Sequence, residues 1–435
     1  MKVKMFSELA ILGGNKINDK EPMQWCNSID NREKQAVLEV LESGVLSGFQ
    51  ASANEMFWGG NKVQDLEKAF KNYYNIEYAI AVNSATSALH CAMMSLGLDI
   101  GDEVITSPYT MSATSTAILM VGGIPIFADV DEKTYCLNPK SVEDNITENT
   151  KAICAVNILG HPAQLSDLKK LAEKHKLILI EDNSQSPNAI HYNSYTGTIG
   201  DLGIFSFNRH KVMQSGEGGM LISKNKKLYE KAALFRNHGE SVVGSFGIKD
   251  ISNTAGLNLR MTEIEAAIAL EQFKKLEYLT NERTLLANRL TQNLEHIEGI
   301  SAPITLPNNK HVYYMYGMQY NEEEIGISRK LFVDAMTAEG LSVRDGYIKP
   351  TYLEPMYQRQ IFLGKKGFPF THKKRNGKLN YNQGLCPIVE RNQNSTMLLT
   401  AVMQPPQTLN DMDLWTEGVI KIIKNKDKLV KAMSK

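Results

Sequence analysis

The stretch Phe205-Ser206-Phe207-Asn208-Arg209-His210-Lys211, followed closely by Gly216-Glu217-Gly218-Gly219, decides how this chain folds. The apolar run from Leu202 to Phe207 reads as a buried strand. It breaks into a polar turn carrying one lysine, then into a glycine cluster of the kind a tightly folded loop uses. A lysine at the mouth of a sheet, partly buried and rimmed by polar groups, has its pKa lowered and offers a neutral amine. An amine nucleophile that forms a Schiff base requires that state. Taken alone, a lysine after a strand is ordinarily a solvated one, so its partners upstream decide the matter.

Working outward, a βα rhythm repeats from about residue 78 to residue 224. The pattern predicts strands at 78–83, 102–107, 124–129, 151–157, 177–182, 202–207 and 219–223, with helices between them. Leu165, Leu168, Leu171 and Ala172, for example, mark one helix face ahead of the run Leu177-Ile178-Leu179-Ile180. Continuously apolar strands separated by helices indicate a mostly parallel seven-stranded sheet sandwiched by helices, an α/β fold. Earlier, helices are predicted from Arg32 to Ser43 and from Val63 to Tyr74. Gly59-Gly60-Asn61-Lys62 lacks the spacing of a phosphate loop and follows no strand. A helical pattern resumes at Arg260, with Thr262 and Glu265 as a capping box, and runs to about Leu294. Residues 296–435 read as a smaller α/β domain: strand Tyr313 to Gln319, helix Arg329 to Glu339, strand Ser342 to Arg344 and a last helix Met412 to Ile423. Gly364 to Lys378 reads as a surface insertion. The expected organisation is a large domain over 1–295, with an N-terminal arm over 1–35, and a small domain over 296–435.

Composition narrows the class. The chain has 435 residues, 43% apolar and 22% charged, with 48 basic and 48 acidic side chains, the profile of a globular enzyme. No basic excess points to nucleic acid. Cys26, Cys91, Cys136, Cys154 and Cys386 show no paired spacing and read as free thiols of a reducing compartment. The start is a poor signal peptide and no apolar run approaches membrane-spanning length, so a cytoplasmic location is expected. The histidines show no ligand spacing, and no metal is assigned.

In parallel sheets ligands sit beyond the carboxyl ends of the strands. After 78–83 comes Ser84-Ala85-Thr86-Ser87, hydroxyls at a helix start, which suits a phosphate, although taken alone plain N-capping by Ser84 is the better reading. After 177–182 comes Asp182 with Gln185, a carboxylate able to pair with a buried cation, or a turn residue. After 202–207 come Ser206 and Lys211. A phosphate site, an anion and an amine at neighbouring strand ends are together what pyridoxal 5'-phosphate demands for its phosphate, its ring nitrogen and its aldehyde.

The chain resembles the DegT-type sugar aminotransferases, fold type I pyridoxal-phosphate enzymes. The matching text is Val82-Asn83-Ser84-Ala85-Thr86-Ser87-Ala88-Leu89-His90, Gly101-Asp102-Glu103-Val104-Ile105, Glu181-Asp182 with Gln185, and Gly200-Asp201. It continues through Phe205-Ser206-Phe207, Lys211 with Gly216-Glu217-Gly218-Gly219, Arg236-Asn237-His238-Gly239 and Asn258-Leu259-Arg260-Met261-Thr262-Glu263. These motifs keep family order through roughly residues 35–300; the last third matches more loosely.

By this resemblance Lys211 would hold the cofactor covalently and later move a proton. Asp182 would pair with the ring nitrogen, Gln185 would contact the ring hydroxyl, and Ala85, Thr86 and Ser206 would hold the phosphate. Asn258 would reach that phosphate from a second subunit of an obligate homodimer with shared active sites. Met111 stands where the family usually stacks an aromatic, and a thioether can pack on a ring face instead. Tyr109, His210, His238 and Tyr347 are candidates for the acceptor pocket. The resemblance implies a transaminase that takes an amino group from glutamate or glutamine. The acceptor would be a keto group of a nucleotide-linked deoxysugar or a keto-cyclitol, serving surface-polysaccharide or aminosugar biosynthesis. The competing readings are a cofactor-dependent sugar dehydratase, in which a histidine takes the lysine's place, and a non-catalytic cofactor-binding regulator.

Overall fold

The computed structural model describes residues 8–19, 26–372 and 379–433. Its centre is a seven-stranded sheet built from β1 (Tyr78–Val82), β2 (Glu103–Thr106), β3 (Ile124–Phe127), β4 (Thr150–Val156), β5 (Ile178–Asp182), β8 (Leu202–Ser206) and β9 (Gly219–Ser223). Two-residue strands β6 (Ile190–His191) and β7 (Ser194–Tyr195) lie between β5 and β8 in the chain and pair outside this sheet. The order is β1-β9-β8-β5-β4-β2-β3. Only β9 runs against its neighbours, pairing antiparallel with both β1 and β8; the other pairs are parallel. Every strand foreseen in this sheet is present, its ends within a residue or two of those expected.

The sheet is covered on both faces, which is why its strands are apolar throughout. Helices α1 (Asn31–Ser43) and α2 (Asn61–Tyr74) precede it. Between its strands run α3 (Ala85–Ser95), α4 (Ala113–Met120), α5 (Pro139–Asp144) and α6 (Leu165–His175), and after it come α7 (Lys226–Arg236), α8 (Glu263–Lys274) and α9 (Leu276–Leu294). Val104, Ile105, Ala152, Ile153 and Cys154 are wholly inaccessible; each larger side chain of this kind contributes about 1.5–3 kcal/mol through burial. All five cysteines are unpaired.

The helix expected from Arg260 to Leu294 is two helices. The capping box at Thr262 and Glu265 forms as read, but the run breaks at Lys275. There a buried ammonium reaches back to Asp30 at 2.9 Å and Glu33 at 2.6 Å. Beyond α9 lies a second sheet, ordered β10-β12-β14-β13, built from β10 (Ile300–Ser301), β12 (Tyr316–Tyr320), β13 (Arg344–Asp345) and β14 (Met397–Thr400). β11 (Asn309–Lys310) joins β6 and β7 in a small third sheet. The strand foreseen at Tyr313 starts only at Tyr316, because Tyr313 adopts φ +48°. The strand foreseen at 342–344 forms at Arg344–Asp345 instead.

The helices here are α10 (Glu322–Ile325), α11 (Arg329–Ala338), α12 (Pro355–Gln358), α13 (Pro387–Arg391), α14 (Leu409–Lys424) and α15 (Lys426–Met433). The sequence reading saw α14 but not α15. Within the foreseen surface insertion Phe370 is buried against Tyr357 and Tyr381, and 373–378 lie outside the described residues. The segment read as an N-terminal arm divides its contacts. Leu9 and Ile17 pack with the second sheet, and the backbone N–H of Ile17 donates to Glu339 at 3.0 Å. Ser28 and Asp30 instead meet Gln272 and Lys275 of the large unit. No helix among the described residues is long and apolar enough to cross a membrane.

Candidate active site

The carboxyl ends of β1, β2, β5 and β8 open into one cavity of about 200 Å³, lined among others by Ala85, Thr86, Met111, Asp182, Gln185, Ser206, His210, Lys211 and Tyr347. Lys211 hangs from the connection between β8 and β9. Backbone bonds close that loop, from Phe207 N–H to Gly218 at 2.9 Å, Ser215 N–H to Phe207 at 2.8 Å, Arg209 N–H to Gly216 at 3.0 Å and Lys211 N–H to Asn208 at 2.8 Å. Gly216, at φ +84°, permits the turn. Desolvation lowers the Lys211 pKa to about 8, while the charge on Asp182 opposes that shift. At neutral pH a useful fraction of this amine is therefore uncharged.

Asp182 ends β5 and is buried. Its carboxylate accepts the Thr114 hydroxyl at 2.9 Å and the Ser184 N–H at 3.2 Å. Gln185 is clamped by its two ends: its carbonyl accepts the Leu159 N–H at 2.8 Å and its amide donates to the Tyr347 hydroxyl at 3.0 Å. Opposite, Ser84 caps α3 by accepting the Ser87 N–H at 3.1 Å, and the helical ladder begins with Ala88 N–H donating to Ser84. The N–H groups of Ala85 and Thr86 take part in neither, and both residues line the cavity. Strand β9 comes so near this helix start that a Cβ at Gly219 would lie 2.6 Å from the Ala85 nitrogen.

The donor set fits pyridoxal 5'-phosphate. Two spare N–H groups at a helix start, with the Thr86 and Ser206 hydroxyls, suit a phosphate. A buried carboxylate with fixed hydrogen-bond partners suits a protonated ring nitrogen. Met111, 64% exposed at the cavity wall, presents a thioether able to pack on a ring face.

The remaining foreseen residues are distributed unevenly. His210 is exposed at the cavity rim, its imidazole held below the ordinary value by desolvation and by the charges of Lys211 and Arg209. Tyr347 lines the cavity. Tyr109 does not; it is fully buried, its hydroxyl 3.1 Å from the Gln393 carbonyl oxygen and 3.2 Å from the Tyr347 backbone nitrogen, beneath Tyr347. His238 and Asn258 also lie outside the lining, His238 beside Glu240 and Asn258 on an exposed loop bridged to Asn237. Thr114, Glu217 and Tyr314 line the cavity and escaped the sequence reading of site residues. Thr114 lies in the first turn of α4, the helix that follows β2, and could have been suspected; Tyr314 carries no local signal at all.

A lysine, an anion and an open helix start at the carboxyl edge of such a sheet define a fold type I pyridoxal-phosphate-dependent enzyme. The chain belongs to the DegT/DnrJ/EryC1/StrS aminotransferase family, whose pattern matches residues 27–381; it is a sugar aminotransferase with pyridoxal 5'-phosphate as cofactor. It is 30% identical to the spore coat polysaccharide biosynthesis protein SpsC of Bacillus subtilis, over 92% of this chain and 96% of that one. It is 29% identical to a putative L-glutamine:3-amino-2,3-dideoxy-scyllo-inosose aminotransferase of Streptoalloteichus tenebrarius, over 98% of this chain and all of the relative. The fold matches the crystal structure of DesI with its TDP-sugar product at a TM-score of 0.81 and 23% identity, covering 98% of this chain and 99% of DesI.

Proposed function

We propose that this enzyme moves an amino group from glutamate or glutamine onto a keto group of a nucleotide-linked deoxysugar or a keto-cyclitol. Relatives named for polysaccharide biosynthesis and for a cyclitol support the acceptor class. One observation carries the reading: an amine with a pKa lowered to about 8 shares one cavity with a buried, hydrogen-bonded carboxylate.

When bound, pyridoxal 5'-phosphate supplies a carbonyl carbon to hold the amino group and a cationic ring to accept electrons from the adjacent carbon. The chain's residues do the rest. Lys211 would hold the cofactor through its neutral amine and, when not so engaged, would serve as the base that moves a proton between neighbouring carbons. Asp182 keeps the ring nitrogen protonated, and Thr114 and the Ser184 N–H prevent it from turning away. Gln185, fixed by Leu159 and Tyr347, orients the ring hydroxyl. Ala85, Thr86 and Ser206 would hold the phosphate. His210, Tyr347 and, less directly, Tyr109 through Tyr347 shape the acceptor side, and His238 would meet substrate only from across an interface.

The working unit in this reading is a homodimer, with Asn258 reaching the partner's phosphate site. Leu38, Leu41, Val45, Leu46, Met56 and Leu257 are all exposed. The loop carrying Leu46 to Phe57 is bonded to Asn237, beside Asn258. Exposed apolar side chains on α1 and on the loop beside Asn258 support burial against a second copy.

The test is a pair of half-reactions. Glutamate or glutamine is expected to bleach the cofactor's visible absorption and release its oxo acid, and a keto-sugar nucleotide or keto-cyclitol to restore the band and leave as an amine. If no amino acid bleaches the band, the reading as a cofactor-binding regulator gains over that as a transaminase. If the sugar loses a hydroxyl and gains no nitrogen, it is a dehydratase.

A further inference from the structure

We propose that Tyr314, which comes from the C-terminal third of the chain, is a positioning residue for the amine of Lys211. The face of its ring holds the protonated amine in the cavity and thereby sets the pH at which the neutral form becomes available. This rests on the reading of Lys211 as the residue that takes the cofactor.

The Lys211 ammonium nitrogen lies 4.8 Å from the centroid of the Tyr314 ring. That ring is buried and lines the same cavity. Burial raises the pKa of the Tyr314 hydroxyl, so the ring stays neutral and presents its negative face to the cation. Three opposing influences then meet at one nitrogen. Loss of water favours the neutral amine, whereas Asp182 and the ring face favour the charged one.

The backbone is bent to bring Tyr314 there. Leu159, Gly160 and Tyr313 all have left-handed φ values, of +57°, +101° and +48°. Val312 N–H donates to Gly160 at 2.9 Å, and Met315 N–H donates to Leu159 at 3.1 Å. A Cβ at Gly160 would stand 2.6 Å from the nitrogens of both Tyr313 and Tyr314, so glycine alone allows the two segments to touch. The buried Arg283 guanidinium donates to the carbonyls of Tyr313 and Tyr314, each at 3.4 Å. Strained backbone persists where its surroundings over-determine it. Here the same loop residue, Leu159, that orients Gln185 through its N–H also holds the chain directly after Tyr314, its carbonyl accepting the Met315 N–H. The segment that carries Tyr314 is therefore bonded to the same loop that holds Gln185.

Other charged and titratable groups surround the pair and stay constant in the test. Asp182, His210, Arg209 and Glu217 face Lys211 or its neighbouring imidazole, and the His210 ring is 6.4 Å from that of Tyr314. Tyr347, Arg283 and Arg344 act on Tyr314 itself.

The experiment measures, as a function of pH, the rate at which the full-length chain, stripped of cofactor, captures added pyridoxal 5'-phosphate. Capture is read by borohydride trapping and peptide mass spectrometry. Tyr314→Phe keeps the ring and is expected to keep the wild-type midpoint. Tyr314→Met removes the ring at similar bulk and is expected to lower the midpoint by about one pH unit, because the protonated amine loses its favourable contact. Replacing Tyr314 with phenylalanine analogues that carry two or three ring fluorines tests the same point without loss of packing. The midpoint should fall with each added fluorine. An unchanged midpoint in the fluorinated series, or an equal shift in Tyr314→Phe, would overturn the proposal. Failure to trap cofactor on Lys211 in the wild-type chain would instead overturn the reading on which it rests.

Discussion

Two helix starts in this protein offer the same backbone groups and use them oppositely. Gly59-Gly60-Asn61 opens α2, and Ser84-Ala85-Thr86 opens α3. Both expose backbone N–H groups at the positive end of a helix dipole. At α2 the chain supplies its own anion: the Glu263 carboxylate accepts the Lys62 N–H at 2.8 Å, and a Cβ at Gly60 would lie 2.7 Å from one of its oxygens. At α3 the cap takes only Ser87, and the N–H groups of Ala85 and Thr86 remain for the cavity. Anion-binding capacity is common to helix starts; what makes one of them a phosphate site is that the protein leaves it unfilled.

Three substitutions probe that contrast. The largest effect is expected at Gly219. Valine there would drive into the Ala85 nitrogen and the Ser84 carbonyl carbon, both 2.6 Å from an ideal Cβ, forcing β9 and α3 apart. The open helix start would be deformed, and cofactor affinity should fall by roughly 100-fold, about 3 kcal/mol of misfit, as read by equilibrium dialysis. An intermediate effect is expected at the filled start. Glu263→Ala leaves the α2 N–H groups without their acceptor and should lower unfolding free energy by about 1–3 kcal/mol, measured by urea denaturation, with cofactor affinity unchanged. The smallest effect is expected from Thr86→Val, which removes one hydroxyl from the open start. Cofactor affinity should weaken by about tenfold or less, roughly 1 kcal/mol, with no loss of stability. A Glu263→Ala chain that lost cofactor, or a Thr86→Val chain that lost only stability, would erase the distinction between the two starts.

The open start, Asp182 and Lys211 were legible in the sequence because each sits at or soon after a strand end, and strand ends in a parallel sheet converge by construction. Rejecting Gly59-Gly60-Asn61-Lys62 as a phosphate loop was also possible, from its spacing and from the lack of a strand before it. That Glu263 would occupy it was not, since the two are brought together only by packing of α8 on α2. The C-terminal third was less legible for a related reason. Its strands are short, and Tyr313 breaks one of them with a left-handed residue whose purpose is plain only once Gly160 is seen beneath it. Tyr314 and Tyr347 both reach the cavity from that region. Of the two, Tyr347 was foreseen as a candidate, whereas Tyr314 was placed merely within a strand. Tyr109, equally close to a strand end, turned into the core because its hydroxyl found Gln393 and the Tyr347 backbone.

The most direct test of the site is borohydride reduction of the protein as purified with its cofactor, followed by peptide mass spectrometry. A pyridoxyl phosphate adduct on Lys211, absent from every other lysine, is the expected result. An unmodified Lys211 with the cofactor lost on denaturation, or an adduct on a different lysine, would contradict it.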